Sequence, residues 1–272
     1  MVKQIILALS SEVSKEEIRC FIQEKKSFIK KAEKKEELSA YAKEQALVIT
    51  DREDFYEEAL KSEIAFLVYL NSSDNSKSFP KAAYGITTLE GVEMKYLEQV
   101  YRRFHHLPWH ILDTPRCRVR EMTLKDLDDL YKIYEDPSIT RYMEGLYEDR
   151  EKEAAYTEDY IKSVYGFYGH GLWIVEEKLT GQIIGRAGIS HREEYHEPEL
   201  GYVIGKPYQN QGYATEVCKA IIQYGKEEIG FSHFNAFVHK ENLPSVRICE
   251  KCGLVRKGTA EIGDEQLEWY FI

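Results

Sequence analysis

The 272-residue sequence predicts an α+β protein in two parts: a small α/β module, then a larger domain built on a mostly antiparallel sheet flanked by helices. Three observations carry this expectation. "ALVIT" (46–50), the helical stretch "DREDFYEEALK" and "IAFLVYL" (64–70) follow one another with short connections, the order of a parallel β-α-β unit. "GLWIVEE" and "QIIGRAGIS" are apolar runs joined by "KLTG", which reads as an antiparallel hairpin. "PELGYVIG" then enters a glycine turn that opens directly into an amphipathic helix over 213–229.

The remaining elements fall into place around these. The apolar run "IILAL" near the start is too short for a secretory core or a membrane span. Residues 11–45 are highly charged, and the interleaved Lys and Glu of "EKKSFIKKAEKKEEL" predict a solvated helical face rather than a nucleic-acid patch. A polar loop "NSSDNSKSF" (71–79), a short strand "AAYGI" and a helix over 91–106 complete the first part, and "LPWHILDTP" leads to a boundary near Pro115. We place the module at 1–112 and the second domain at 113–272. There, "RCRVREM" alternates as a strand, and "TLKDLDDLYKIYED" is a helix capped by Thr123 with Leu127, Leu130 and Ile133 inward. A helical stretch continues to about Tyr165. After the glycine-turn helix come a strand "HFNAFVH", a helix "LPSVRICEKC" and a closing strand "DEQLEWYFI".

Composition bounds the function. The chain is 43% hydrophobic and 31% charged, ordinary for a globular protein, and its net charge of −10 argues against a duplex nucleic-acid partner. Most of the excess negative charge lies after Pro115. Five cysteines without regular spacing predict free thiols in a reducing, cytoplasmic setting. Cys249 and Cys252 form a CxxC with no second pair or nearby His, so no metal site is expected.

The strongest chemical signal is "YQNQGYATEVCKAIIQY". Surface helices usually begin at Ser, Thr, Asp or Asn. Here Gln209, Asn210, Gln211, Gly212, Tyr213, Ala214 and Thr215 leave backbone N–H groups uncovered at a helix N-terminus, where the dipole adds positive potential. That is a site for an anion such as phosphate, and Gly212 permits close backbone approach.

Four ordered segments carry a family resemblance: "RVREMTLKDLDDLYKIYEDPSITRYM", "GLWIVEEKLTGQIIGRAGIS", "ELGYVIGKPYQNQGYATEVCKAIIQY" and "VHKENLPSVRICEKCGL". Together they resemble the GNAT acetyltransferase superfamily over 116–272, in particular its ribosomal-protein N-terminal acetyltransferase branch. The resemblance implies a GNAT fold with a mixed, splayed sheet and transfer of acetyl from acetyl-CoA to a primary amine of a small molecule or a peptide N-terminus. It implies that Val203 and Ile204 offer backbone to the pantetheine arm, that 209–215 hold the pyrophosphate, and that Asn242 meets the cofactor arm. An extended amide-bearing arm can add to a strand edge as peptides do. Asn242 can equally be a helix cap, and Val203 and Ile204 are also core residues.

The reaction needs a base, because an ammonium of pKa about 10 has no lone pair. Glu199 stands where some family members place one; the alternative is a strand-end carboxylate. His191, Glu193, Glu194 and His196, in a loop expected to overhang the acceptor site, are rivals. Ser245 matches a serine that could donate to the leaving sulfur or cap its helix, while Cys249 stands where many members carry tyrosine. A second reading is a catalytically silent domain that binds acyl-CoA as a sensor or scaffold.

In the first part, "LVITD" faintly resembles the first strand of haloacid-dehalogenase phosphatases. That family requires Asp-x-Asp, whereas Asp51 is followed by Arg52, Glu53 and Asp54. We read a non-catalytic Rossmann-like module, with a second copy of the chain as one candidate partner.

Overall fold

The computed structural model describes residues 1–70 and 77–272, so most of the loop expected at 71–79 lies outside the described residues. The chain separates into two compact units, Met1–Trp109 and His110–Ile272.

The first unit runs β1 (Gln4–Ala8), α1 (Lys15–Glu24), β2 (Ile29–Lys31), a 3₁₀ turn (Lys35–Ala40), β3 (Ala46–Thr50), α2 (Glu53–Lys61), β4 (Ala65–Tyr69), β5 (Gly85–Ile86) and α3 (Met94–Phe104). Its five strands are all parallel, in the order β2-β1-β3-β4-β5. The central strands are continuous apolar runs because both sheet faces are covered. Ile5, Leu7, Leu47, Ile49 and Leu67 face Phe21 of α1 and Leu97 of α3. Ile6, Ala8, Val48 and Val68 face Phe55 and Ala59 of α2.

Two features differ from the sequence reading. "IILAL" supplies most of the interior strand β1, which the sequence reading did not assign. The charged stretch is not one helical face: it leaves α1 at Glu24 and adds the edge strand β2, whose Lys30 and Lys31 are exposed. A lysine-bearing edge strand has no helical or strand periodicity to read, and lysine there discourages edge-to-edge pairing.

The second unit contains β6 (His110–Asp113), β7 (Cys117–Arg120), α4 (Leu127–Tyr134), α5 (Arg150–Tyr160), a one-turn α6 (Gly166–Tyr168), β8 (Leu172–Glu177), β9 (Ile183–Arg192), β10 (Tyr195–Ile204), α7 (Tyr213–Tyr224), β11 (Asn235–Val238), α8 (Leu243–Lys251), β12 (Val255–Ile262) and β13 (Glu265–Phe271). Eight strands form one sheet in the order β12-β13-β11-β10-β9-β8-β7-β6. Every neighbouring pair is antiparallel except β10 with β11. Thr123 and Asp126 form a capping box ahead of α4, whose Leu127, Leu130 and Ile133 are buried. Strands β6 and β12 escape the sequence reading; β12 is a charged edge strand with most residues exposed.

Helix α7 passes into a wider π-helical turn, Gly225–Ile229. A side chain at Gly225 would place its Cβ 2.4 Å from the ring of Phe234, so glycine is what lets the helix lie against the ring.

Candidate active site

Strands β10 and β11 share a single registered pair, Glu199 with Asn235. Beyond it, β10 stays with β9 as far as Ile204, whereas β11 stays with β13. The facing edges of 200–204 and 236–238 therefore diverge into a wedge with no ladder between them. Two features fix its apex. A register shift between Tyr195 and Glu199 bends β10. Asn235 donates from Nδ2 to the Glu197 carbonyl at 2.8 Å and accepts at Oδ1 from Trp269 Nε1 at 2.7 Å. Val203 and Ile204 are buried in the diverging part of β10.

The turn that closes β10 carries two left-handed residues, Asn210 at φ 59° and Gly212 at φ 84°. Gly212 is the N-cap of α7 and no side chain caps it. The first bond of the helix runs from the Glu216 N–H to the Gly212 carbonyl at 3.0 Å. The N–H groups of Tyr213, Ala214 and Thr215 thus have no carbonyl one turn back. Both glutamines fold inward: Gln209 Nε2 donates to the Ile204 carbonyl at 2.9 Å and Gln211 Nε2 to the Pro207 carbonyl at 2.8 Å. Their side chains bond carbonyls and do not cap α7, whereas the Gln209 N–H is already spent on the Lys206 carbonyl at 3.3 Å.

Arg116, at the entry to β7, holds this turn from the side. It donates to the Gln211 carbonyl at 3.0 Å and to the Glu216 carboxylate from Nε and Nη2, both at 2.7 Å. Its guanidinium lies over the Tyr213 ring at 4.1 Å, and its Nη2 borders the space a Gly212 side chain would take, at 3.5 Å. Tyr213 in turn donates to Glu177 at 2.6 Å.

At the wedge apex, Glu199 accepts from Arg192 Nε at 2.5 Å and Nη2 at 3.3 Å. Burial raises its carboxyl above the ordinary range, and the Arg192 guanidinium opposes that rise. Across the wedge, Asn242 caps α8 by accepting from the Ser245 N–H at 3.3 Å, and Ser245 Oγ accepts from the Tyr202 hydroxyl at 2.9 Å. Cys249, one turn along α8, is buried, and burial pushes its thiol up to about 12.

The loop carrying the rival bases is not an overhang. Arg192 pairs with Tyr195, so only Glu193 and Glu194 form the hairpin tip, both exposed and roughly 15 Å along the strand from Glu199. His196 is exposed beside Glu197. His191 meets His170, Nε2 to Nε2, at 3.3 Å. A two-residue turn between long strands leaves no chain to fold over the sheet.

A family model described as an acetyltransferase (GNAT) domain matches residues 116–255. The chain belongs to the GNAT acetyltransferase family. Among curated proteins, it is 32% identical over 146 residues to the uncharacterised protein YkkB of Bacillus subtilis, covering 53% of this chain and 84% of that one. It is 28% identical over 151 residues to the uncharacterised N-acetyltransferase YnaD of the same organism, covering 54% and 84%. Among solved structures, a GNAT-family acetyltransferase from Bacillus anthracis aligns with TM-score 0.50 at 25% identity, covering 59% of this chain and 95% of that one. The microcin C7 self-immunity acetyltransferase MccE, solved with acetyl-CoA and AMP, shares the fold at TM-score 0.50 and 16% identity, covering 58% and 92%.

This protein is therefore an acetyltransferase, and GNAT enzymes use acetyl-CoA as donor. Of the residues singled out in the sequence, Val203, Ile204, the 209–215 turn, Asn242 and Ser245 line or head the elements around one wedge, with Glu199 at its apex. Arg116, Arg192, Asn235 and Tyr202 escaped that reading. Only Tyr202 had a signal: strand alternation puts it on the face opposite Val203.

Proposed function

We propose that the protein moves acetyl from acetyl-CoA to a primary amine, holding the donor along the β10 edge with its pyrophosphate at 209–215. The observation that carries this is the pairing of a wedge beside β10 with an uncapped helix start at the end of the same strand. The residues fit the donor. Bare amides and the α7 dipole suit a pyrophosphate, and the unpaired edge of 200–204 suits an amide-bearing arm. Bound acetyl-CoA supplies an activated acetyl thioester. Glu199 takes a proton from the acceptor's ammonium, directly or through water, and Ser245 keeps a hydroxyl proton at the head of α8 for the departing sulfur. Asn242 orders that helix start. A primary amine on a small molecule or at a protein N-terminus is the acceptor, since a raised carboxyl is better matched to an ammonium than an ordinary one.

Two measurements test this. A panel of amines with acetyl-CoA, followed by appearance of free thiol, should show turnover with at least one member. Calorimetry should show that Gly212→Glu, which puts a carboxylate into the space beside the bare amides, weakens acetyl-CoA binding by at least tenfold in a folded protein. Unchanged affinity in that variant would remove the pyrophosphate assignment.

A further inference from the structure

Beyond the apex, a side-chain hydrogen bond joins the diverging part of β10 to α8. Tyr202 lies on β10 three residues past the Glu199–Asn235 pair, within the diverging segment, and Ser245 lies on the first turn of α8, which follows β11. The phenol donates to Ser245 Oγ at 2.9 Å between residues 43 positions apart. We propose that Tyr202 is a positioning residue: its phenol occupies one lone pair of Ser245 Oγ and so keeps the serine's own proton available for a second acceptor, the sulfur of the donor.

Three observations support it. A serine hydroxyl has one proton and two lone pairs, so a donor on one lone pair leaves the O–H to point elsewhere. Here Asn242 binds the Ser245 N–H at 3.3 Å, so the helix start is fixed while the phenol engages Oγ. Second, burial raises the Tyr202 phenol far above its ordinary range, so it keeps the proton it donates to Ser245 Oγ. Third, accepting from the phenol polarises the serine and strengthens its own donation. Cys249 does not take this part: it is buried one turn further along α8 and presents only a weak thiol donor.

This inference rests on the proposed donor site and can fail separately from it. The test uses free CoA bound to the full chain: the CoA thiol ionises to a thiolate that absorbs in the short-wavelength ultraviolet, and the proton it releases passes to buffer. A serine held as a donor stabilises the thiolate. The bound thiol should therefore titrate at lower pH than free CoA, and Tyr202→Phe should move it back upward. Ser245→Ala should do the same, and the double variant should shift no further than Ser245→Ala alone, since Tyr202 acts through Ser245. Turnover should fall about tenfold in Tyr202→Phe, with KM for acetyl-CoA nearly unchanged. Thermal melts would establish that Tyr202→Phe is folded; if it is not, Ser245→Ala tests the same bond from the other side, and a bound thiol that titrates there as in the unaltered protein overturns the proposal. An unmoved thiol titration in folded Tyr202→Phe also overturns it, as does an equal further shift when Tyr202→Phe is added to Ser245→Ala. Failure of the unaltered protein to bind CoA would sink the donor site, and this inference with it.

Discussion

Two opposing influences act on the Glu199 carboxyl: burial raises it and Arg192 lowers it, with burial the larger. A raised carboxyl is closer to the proton affinity a base needs near neutrality. Glu199→Gln keeps the shape and removes the base, so turnover should fall roughly 10²–10³-fold while CoA affinity holds. The deficit should shrink as pH rises, because more of the amine arrives neutral. Rates measured across about pH 5 to pH 9 would show both effects, and wild-type turnover at neutral pH would end this role for Glu199. His170 permits a second expectation at this scale. Burial, then the neighbouring His191, lowers it to about 4, and its Nδ1 has no hydrogen-bond partner among the described residues. The ordinary imidazole titrates near 6.5, so on acidification the unfolded chain gains this proton before the folded one. Stability is therefore lost between about pH 6.5 and pH 4, on the order of 1–2 kcal/mol by pH 5. His170→Phe should remove that part of the acid loss, read as a smaller change in urea midpoint between pH 7 and pH 5 than in the unaltered protein.

The turn between β10 and α7 works as one element because a distant residue braces it. Arg116 bonds the Gln211 carbonyl and the Glu216 carboxylate, and Glu216 also accepts from the Thr114 hydroxyl at 2.7 Å. Arg116→Ala would free the side of the turn and leave Glu216 beside the amides without its guanidinium. Acetyl-CoA affinity should fall about tenfold, since bonds to charged groups contribute about 1.5–3 kcal/mol and water replaces part of that. An acetylated pantetheine, which lacks the pyrophosphate, should bind both proteins alike. Equal losses for the two ligands would place Arg116 in general folding rather than in phosphate binding.

For the whole chain, the expectation is that each unit folds by itself. The cores of the first unit draw only on residues between Val2 and Phe104, on the two faces of its own parallel sheet. Asp51, buried at the end of β3, accepts from Ser10 N at 2.8 Å and Ser10 Oγ at 2.5 Å and lies 3.5 Å from Lys77. A chain of 110–272 should stay soluble, unfold in one transition and bind CoA with the affinity of the full protein. Aggregation, or loss of CoA binding, would assign the first unit a part in completing the transferase. Among the described residues, no helix is long and apolar enough to cross a membrane.

Local chemistry was legible in the sequence. A glycine at the helix start and the absence of a capping side chain are properties of consecutive residues, so an uncapped start of α7 at Gly212 could be expected before any fold was known. Apolar runs and hairpin turns announced β3, β4, β8, β9 and β10 for the same reason, whereas the charged edge strands β2 and β12 carried no such period. The partners of the reactive side chains were decided by tertiary structure. Arg116 reaches Gln211 across 95 positions, and Tyr202 reaches Ser245 across 43, because sheet order and helix packing bring them together. Whether Glu199 faces water or a guanidinium depends on the register of β9 against β10, and whether β10 has an open edge depends on where β11 leaves it. Those are non-local choices, made by how whole strands bury their faces rather than by any residue's own preference.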